Sequence, residues 1–388
     1  MRAPRSRTAV RGPYAKLVVS MCSAVLTAML SSCSADLPVQ RESQQADGHV
    51  LTGRYSIVCV IHGDGDYVYH DNDGSEYAAD EKALAAVQQV AQRNPRADVF
   101  VFHQRPRSHV LFLFPLRDGD FYYYRDGKLV TELSYWRDQE QSRFDAEVEL
   151  YRRFREDNLG EMMNVFLYCG HEIPEAGGVG YDASYPDRSF TVHDLAGRLE
   201  DFTRDSTRFD LVVLSTCFGG TPHTIGTLGP FARYIIASPD NLHLSYFDLH
   251  SLERLDVSVP GGDVLALAKQ FAQHAFDRLT GDVQTAVSVA VYDVDRTRDF
   301  VHSVRGMYDH ALTTVSGETQ ASITTMEHCD CADIPAYVLP AINEGVDVFY
   351  RPARFGRLKH KQSHSGWECW RERAPQGAGS QITGAAVK

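Results

Sequence analysis

The chain has 388 residues, an apolar content of 43% and a formal net charge of -12. This length allows one large domain or two ordinary ones, and the apolar content is normal for a globular protein. The acidic balance argues against nucleic acid as a partner, because backbone binding needs clustered Lys and Arg.

The first 33 residues have the pattern of an export signal. Residues 1–16 carry five basic residues and no acidic one, and an apolar segment follows from Leu17 to Leu30. It is shorter than the about 20 residues of a membrane span and suits a signal-peptide core. It ends in Leu30-Ser31-Ser32-Cys33, which resembles a bacterial lipobox. The prediction is cleavage before Cys33 and lipidation of that cysteine; the alternative is an ordinary secretory signal with an incidental cysteine.

Composition predicts four regions along the chain. These are a lipoprotein signal peptide over 1–32, a flexible polar tether over 33–52, a folded domain over 53–370, and a disordered tail rich in Gly, Ala and Ser over 371–388. Two or three acyl chains on Cys33 would make the membrane anchoring stable. The expected location is therefore the periplasmic or surface side of a bacterial membrane.

Apolar periodicity predicts alternating strands and helices through the domain. The predicted strands are 54–62, 98–103, 163–169, 210–216, 286–292 and 347–350. The predicted helices are 80–93, 142–158, one that begins at the N-cap Thr191, 264–279, 295–307 and 334–343. Between 109 and 135 the pattern is that of antiparallel hairpins, with turns at 117–119 and 125–127. Together these elements predict an α/β sandwich with a mostly parallel sheet and a β-hairpin insert.

Two clusters have partial metal-binding patterns. Asp71-Asn72-Asp73-Gly74 is similar to a calcium loop, but no Glu stands at the closing position, which favours a solvated turn. His328-Cys329-Asp330-Cys331 has metal-like spacing, but only Cys369 is a further candidate ligand. A disulfide from Cys369 to Cys329 or Cys331, zinc, and free thiols all remain open. No cofactor is predicted.

The strongest functional signal is a His and a Cys that end two successive core strands. His171 follows strand 163–169 and Cys217 follows strand 210–216, with one crossover helix between them. The carboxyl ends of parallel neighbours meet at the same edge of a sheet, about 4.8 Å apart. An imidazole there can take the thiol proton, and the strand-end turn can aim backbone N–H groups at an oxyanion. The pair predicts nucleophilic catalysis; Cys217 alone would be read as a buried apolar residue.

These residues resemble those of the clostripain family of cysteine endopeptidases, which has the caspase-like fold. The resemblance is carried by the strand that ends at His171, by Phe209-Asp210 and Cys217, and by the segment Tyr234 to Ser238. It covers roughly 53–370 and is strongest over 160–240. It implies Cys217 as nucleophile, His171 as base, and cleavage of peptides after a basic residue.

Three departures from the family pattern concern the site. Glu172 stands where the family has Gly, at a position whose backbone N–H is implied, with that of Cys217, in the oxyanion hole. Ser215 replaces the Asp that lines the pocket for a basic P1 residue, and Asp240 or Asp248 is the candidate that could supply the charge. The segment after Cys217 is rich in Gly and Pro, so a helix there would contribute less positive dipole to a thiolate.

The predicted function is an extracytoplasmic, membrane-anchored cysteine endopeptidase that acts on protein or peptide substrates, with its P1 preference open. The alternative is a catalytically inactive clostripain-like lipoprotein that acts as a protein-binding module. Self-cleavage in the loop after His171 is a further expectation from the resemblance. Arg188 is its candidate position, because it is the only basic residue between His171 and Arg198.

Overall fold

A nine-stranded sheet runs through the part of the chain that the computed structural model describes. The described residues are 55–65, 68–70, 74–111, 113–137, 144–155, 163–175, 182–203, 208–242, 247–253, 255, 263–301, 345–356 and 359. All of them belong to the unit Leu51–Lys388. The predictions for the signal peptide, the tether, Asp71 to Asp73, the helix 334–343, Cys329, Cys331, Cys369 and the tail lie outside the described residues.

Strands and helices alternate along the described chain. The strands are β1 (Tyr55–His62), β2 (Val68–His70), β3 (Glu76–Ala78), β4 (Ala97–Gln104), β5 (His109–Val110), β6 (Phe114–Pro115), β7 (Gly119–Arg125), β8 (Lys128–Tyr135), β9 (Met163–Cys169), β10 (Phe209–Ser215), β11 (Ala232–Ala237), β12 (Val287–Asp293) and β13 (Val346–Arg351). The helices are α1 (Ala79–Arg93), α2 (Asp145–Phe154), α3 (Val192–Phe202), α4 (Pro222–Leu228) and α5 (Val264–Asp282). Residues 294–301 are also helical.

The large sheet has the order β13-β12-β11-β10-β9-β1-β4-β7-β8. The strands from β11 to β4 in this order pair in parallel. The strands outside them, β7 and β8 on one side and β12 and β13 on the other, pair antiparallel. The predicted parallel core and hairpin insert are confirmed. The carboxyl ends of β1, β4, β9 and β10 consequently share one edge of the sheet.

Helices cover both faces of the sheet because residues alternate between the faces along each strand. One apolar cluster joins the sheet to α2, α3 and α4, and the other joins it to α1 and α5. In the first cluster the Phe202 ring packs 5.9 Å from that of Phe166 and 6.1 Å from that of Phe102, centre to centre. Truncating so fully buried an aromatic residue as Phe202 would cost about 3–5 kcal/mol.

The predicted start of α3 is confirmed in detail. The Thr191 side chain accepts from the backbone N–H of Asp194, and the Asp194 carboxylate accepts from the backbone N–H of Thr191 at 2.9 Å. This reciprocal capping box satisfies two amides that the helix leaves without partners. It fixes the point at which the chain turns from the loop after His171 into the crossover helix.

Two sequence predictions need correction. Residues 117–119 do not form the expected turn: β5 pairs with β6 before them, and Asp118 is buried and accepts from the backbone N–H of Arg137 at 2.9 Å. The helix expected over 142–158 ends at Phe154, since Arg155 already has extended backbone with ψ 145. The turn at 125–127 is confirmed: Asp126 and Gly127 have φ 53 and 72, as in a type I′ hairpin turn.

Candidate active site

The structure brings the predicted base and nucleophile to the same edge of the sheet. β9 and β10 are hydrogen-bonded neighbours, and Cys169 pairs with Ser215. The Gly170 backbone N–H extends this pairing by donating to the Ser215 carbonyl at 3.2 Å. His171 and Cys217 each lie two residues beyond the last pair, on the same register line. Because side chains alternate with a period of two, this register favours the same face for both.

The thiol of Cys217 is half-buried and lies among polar groups of the segment after β11. Its Sγ lies 3.3 Å from Asn241 Oδ1, to which it donates, and the backbone N–H of Leu242 donates to Sγ at 3.3 Å. A backbone N–H directed at sulfur stabilises the thiolate form. The acceptor Asn241 Oδ1 favours the protonated thiol instead, so Cys217 has polar contacts for both of its forms.

The other free cysteines of the described chain have the opposite surroundings. Cys59 and Cys169 are buried inside the sheet. Burial raises the pKa of Cys59 well above its usual value, and a hydrogen bond with Cys169 raises it further. A thiol that stays protonated is a poor nucleophile. Packing is therefore the role of Cys59 and Cys169.

A backbone carbonyl holds the imidazole of His171. Its Nε2 lies 2.9 Å from the carbonyl oxygen of Gly65, which follows β1. A carbonyl only accepts hydrogen bonds, so Nε2 carries the proton and Nδ1 is the basic nitrogen of the neutral ring. Burial lowers the pKa of His171, although the bond to Gly65 opposes this effect. The ring is therefore neutral at neutral pH and able to accept a proton.

A buried ionic cluster, Asp64–Arg137–Asp182, fixes the residues around Gly65. Arg137 Nη1 lies 2.7 Å from the Asp64 carboxylate, and Nη2 lies 2.6 Å from that of Asp182. The Asp64 carboxylate also accepts from the Ser184 hydroxyl at 2.7 Å. Since Asp64 immediately precedes Gly65, the cluster determines where the carbonyl that holds His171 lies.

The two carboxyl groups that flank Arg137 have pKa values shifted in opposite directions. Burial raises the pKa of Asp64 to about 7, with a further contribution from Asp182, while Arg137 acts in the opposite direction. Burial also acts to raise the pKa of Asp182, but hydrogen bonds from His62 and Asp64 and the charge of Arg137 outweigh it, so that pKa is lowered. Asp182 therefore carries the charge, and Asp64 retains a proton to near neutral pH.

The two predicted pocket residues, Ser215 and Asp240, make different contacts. Ser215 is buried, and its hydroxyl accepts from the backbone N–H of Phe247 at 2.7 Å. Asp240 is half-buried, and its carboxylate accepts from the backbone N–H of Asn241 at 2.8 Å. Ser215 thus anchors the segment that begins at Phe247, whereas Asp240 adjoins the residues that contact Sγ.

The turn after Cys217 is tightly constrained. Phe218 has φ 51, a left-handed conformation that costs a non-glycine residue about 1 kcal/mol, and its N–H donates to the Asp240 carbonyl at 3.1 Å. At Gly220 a Cβ would lie 2.5 Å from the Tyr292 hydroxyl and 2.8 Å from the backbone nitrogen of Pro239, so only glycine fits. The Gly-rich composition of this segment therefore serves close packing of the backbone.

Two other residues named from the sequence are half-buried at this edge. Glu172 follows His171 directly, beyond the end of β9. The Arg188 side chain is 11% exposed, lies 3.7 Å from the Asp182 carboxylate and stacks 4.0 Å above the centre of the Tyr185 ring. Self-cleavage after Arg188 would require this side chain to leave both partners.

The sequence did not reveal Gly65, Asn241, Leu242 or Arg137 as parts of this site. Each lies in a segment without apolar periodicity, and Gly65 is 106 residues from the His171 ring that it contacts. The Gly-Asp-Gly run after β1 was the available signal, since such a run at a strand end in this sheet lies at the catalytic edge. Among the described residues, no group of three or more His, Cys, Asp or Glu side chains could hold a metal ion.

A model described as "Clostripain family" matches residues 167–347, the region that contains both His171 and Cys217. Residues 167–347 belong to the clostripain family of cysteine peptidases. The α/β sandwich implied by the resemblance to that family is the one observed. No curated protein matches the chain significantly.

Solved structures similar to this chain include bacterial proteases. One is an inactive zymogen protease from Parabacteroides distasonis, with 11% identity, 70% of this chain and 72% of that chain covered, and a TM-score of 0.45. Another is a secreted cysteine protease from Bacteroides thetaiotaomicron in complex with an irreversible peptide inhibitor, with 10% identity, coverages of 67% and 71%, and a TM-score of 0.45.

Proposed function

We propose that the protein is an exported, lipid-anchored cysteine endopeptidase in which Cys217 is the nucleophile and His171 the base. The observation that carries this proposal is the pairing of β9 with β10, since His171 and Cys217 each follow the Cys169–Ser215 pair by two residues. Family membership supports the reaction class. The neutral His171 ring and the polar contacts of the Cys217 sulfur support the roles of these two residues.

The proposed reaction has two steps. His171 Nδ1 takes the proton of the Cys217 thiol as Sγ attacks the carbonyl carbon of the scissile bond. The tetrahedral intermediate collapses, the C–N bond breaks, and the proton passes from His171 to the leaving amine. Water, deprotonated by His171, then attacks the thioester and releases the carboxylic acid and the thiol. Gly65 orients the ring throughout by accepting from Nε2.

Backbone N–H groups are the proposed donors to the oxyanion. Those of Cys217 and Glu172 are the candidates, since both residues lie just beyond the paired strand ends. The N–H of Phe218 is excluded from this role because it donates to the Asp240 carbonyl. A well-placed donor of this kind is worth about 2.7–4 kcal/mol of transition-state stabilisation.

Specificity at P1 is proposed to depend on Asp240. Ser215, at the position where the family has an acidic pocket residue, is buried against the Phe247 backbone and cannot supply a charge. Asp240 is half-buried beside the segment that contacts Sγ. Digestion of a peptide library by wild type and Asp240→Asn tests this role. A preference for Arg or Lys at P1 that persists in Asp240→Asn would rule it out.

Probe labelling together with substrate digestion tests the catalytic proposal. A thiol-reactive peptide probe should label wild type and Cys169→Ala, but not Cys217→Ala, and only Cys217→Ala should lose peptide cleavage. Cys169 is a matched control because it lies two residues before His171 and is buried. If Cys217→Ala cleaves like wild type, the nucleophile is wrong. If no variant cleaves but partner proteins still bind, the chain is a binding module.

The lipid anchor is proposed from residues outside the described chain. No helix among the described residues is long and apolar enough to cross a bilayer. Residues 17–30 and the following Ser31-Ser32-Cys33 support export with lipidation at Cys33. Labelled palmitate should enter wild type and not Cys33→Ala. Equal labelling of the two would show that Cys33 is not the lipidated residue.

A further inference from the structure

The chain between β4 and β7, residues 105–117, carries an exposed apolar tip that the peptidase reaction does not use. β5 and β6 pair within it as a small hairpin. The exposed fractions are 69% for Leu111, 76% for Leu113, 59% for Phe114 and 45% for Leu116. Residues 110–116 include no polar side chain. A contiguous exposed apolar surface of this kind marks an interaction site.

This apolar hairpin is held firmly at its base. The Arg105 N–H donates to the Asp118 carbonyl at 2.7 Å, and the Leu116 N–H donates to the Ser108 carbonyl at 2.9 Å. The Arg107 N–H donates to the Ser184 hydroxyl at 2.7 Å, which joins the hairpin to the loop that contains Asp182. The domain therefore presents the tip in one orientation.

The charges beside the apolar tip are all positive. Residues 105–117 contain three arginines and no acidic residue, although the whole chain has a net charge of -12. Arg107 and Arg117 are exposed on either side of the tip. The neighbouring acid, Asp118, is buried and accepts hydrogen bonds from the Arg137 backbone and the Tyr185 hydroxyl. The outward charge of the hairpin is therefore opposite to that of the chain.

We infer that the apolar hairpin inserts its tip into an anionic lipid surface. A bilayer places apolar chains directly beneath negatively charged headgroups, and this hairpin places apolar side chains directly beyond two arginines. Trp136 adds an amphipathic side chain where β8 ends: it is 42% exposed and follows Tyr135, which pairs with Gly119 beside the base of the hairpin. Tryptophan is enriched at the headgroup level of membrane proteins.

Insertion would bring the catalytic edge of the sheet toward the membrane. The hairpin follows β4, which is parallel to β1 and β9, so it emerges from the same edge as His171 and Cys217. Substrates at the lipid surface would then be close to the thiol. Insertion itself requires no peptidase activity, so the two are tested separately.

Depth-dependent quenching tests the insertion. Full-length protein carrying L113W is mixed with vesicles of phosphatidylglycerol and brominated phosphatidylcholine, and the vesicle-bound fraction is recovered by flotation. The fluorescence that Trp adds at position 113 is the emission of L113W minus that of wild type. We expect bromine to quench this added fluorescence at least about twofold, because inserted side chains reach about 5–10 Å below the surface. The matched control is F355W at an exposed aromatic position, 74% accessible, beyond β13, which should not be quenched.

Three outcomes would overturn the inference. If L113W and F355W are quenched equally, or if L113W is not quenched at all, the tip does not enter the bilayer. If adding R107E/R117E to L113W leaves the quenching unchanged, the two arginines have no role in the insertion. Digestion without vesicles gives the third outcome. If L113E slows digestion of an unfolded protein but not of a short peptide, and F355E slows neither digestion, the hairpin would instead bind protein substrates.

Discussion

The sheet holds three free cysteines in its described part, and their positions along the strands separate two kinds of chemistry. Cys59 and Cys169 lie within β1 and β9, surrounded by apolar side chains. Cys217 lies two residues beyond β10, where a backbone N–H and an amide oxygen contact its sulfur. Inside the strand the backbone polar groups are all engaged in the ladder, whereas beyond its end they are directed at side chains.

The same difference explains why the catalytic edge also contains the buried ions. The backbone groups inside a strand are engaged in the ladder, so a charge there depends on side-chain partners, and an unpaired buried charge is strongly unfavourable. The loops beyond β1 and β9 meet the end of β8, so Asp64, Arg137 and Asp182 can satisfy one another. Reactivity and charge are thus concentrated where the regular pairing stops.

Alkylation rates give the largest expected contrast. Iodoacetamide should modify Cys217 at least about 10³-fold faster than Cys59 or Cys169, because these two react only after an opening whose free energy approaches that of global unfolding. Peptide mass spectrometry of native protein over time measures all three rates, with denatured protein as the reference. Comparable rates in the native protein would contradict the distinction.

Removal of the base should have the next largest effect on catalysis. His171→Ala should lower kcat about 10²- to 10⁴-fold. The exposed His109 offers a control, and His109→Ala should keep the wild-type rate in solution. Because burial lowers the pKa of His171, the acid limb of wild-type kcat/KM should lie below pH of about 6.5. An acid limb above that value would show that the ring is not held as described.

Loss of the central cation should destabilise the fold. Arg137→Met leaves the charged, buried Asp182 carboxylate without its counter-ion, which should cost about 3–5 kcal/mol in the free energy of unfolding. Arg152→Met is the matched control, since Arg152 is exposed and pairs with Asp201 at 2.8 Å, and a surface pair is worth about 0–1 kcal/mol. Urea unfolding measures the loss of unfolding free energy in both variants. Equal losses would mean that burial does not strengthen the ion pairs of Arg137.

The smallest expected effect is a gradual change in the free energy of unfolding with pH. The folded pKa of Asp64 is about 7, well above that of the unfolded chain, so the contribution of its proton is complete below pH of about 4. It is lost as the pH rises toward 7, by at most about 1.4 kcal/mol per pH unit. Asp64→Asn cannot titrate and should remove this slope from unfolding curves. Asp201, whose side chain is 29% exposed, is the control: Asp201→Asn should keep the slope, and loss of the slope in both variants would implicate another group.

Apolar periodicity was sufficient to predict the strands that carry the site but not the loop residues that line it. The apolar runs that end at His171 and Cys217 defined both strands, and their parallel order followed from the crossover helix between them. Asn241 and Gly65 come from loops whose conformation depends on contacts formed elsewhere. Ser215 was expected in the pocket, but the alternation of the strand directs its hydroxyl to a buried segment.

Long-range contacts explain what the sequence could not predict. Arg137 follows the β-hairpin insert, 73 residues from Asp64, and nothing in its local pattern indicates a buried cation. The turn predicted at 117–119 was wrong for a related reason, because Asp118 is engaged by the same distant residue. Local signals place elements, whereas the ion pairs between them depend on the assembled sheet.

The bond between His171 and Gly65 joins residues 106 positions apart, and it forms only after β1 and β9 have paired. An unfolded chain therefore contains every reacting group but no arrangement able to hydrolyse a peptide. Contacts so distant in sequence form slowly and cooperatively. Activity should consequently appear at the end of folding and disappear in the same transition as the sheet, so an unfolded chain would leave its surroundings intact.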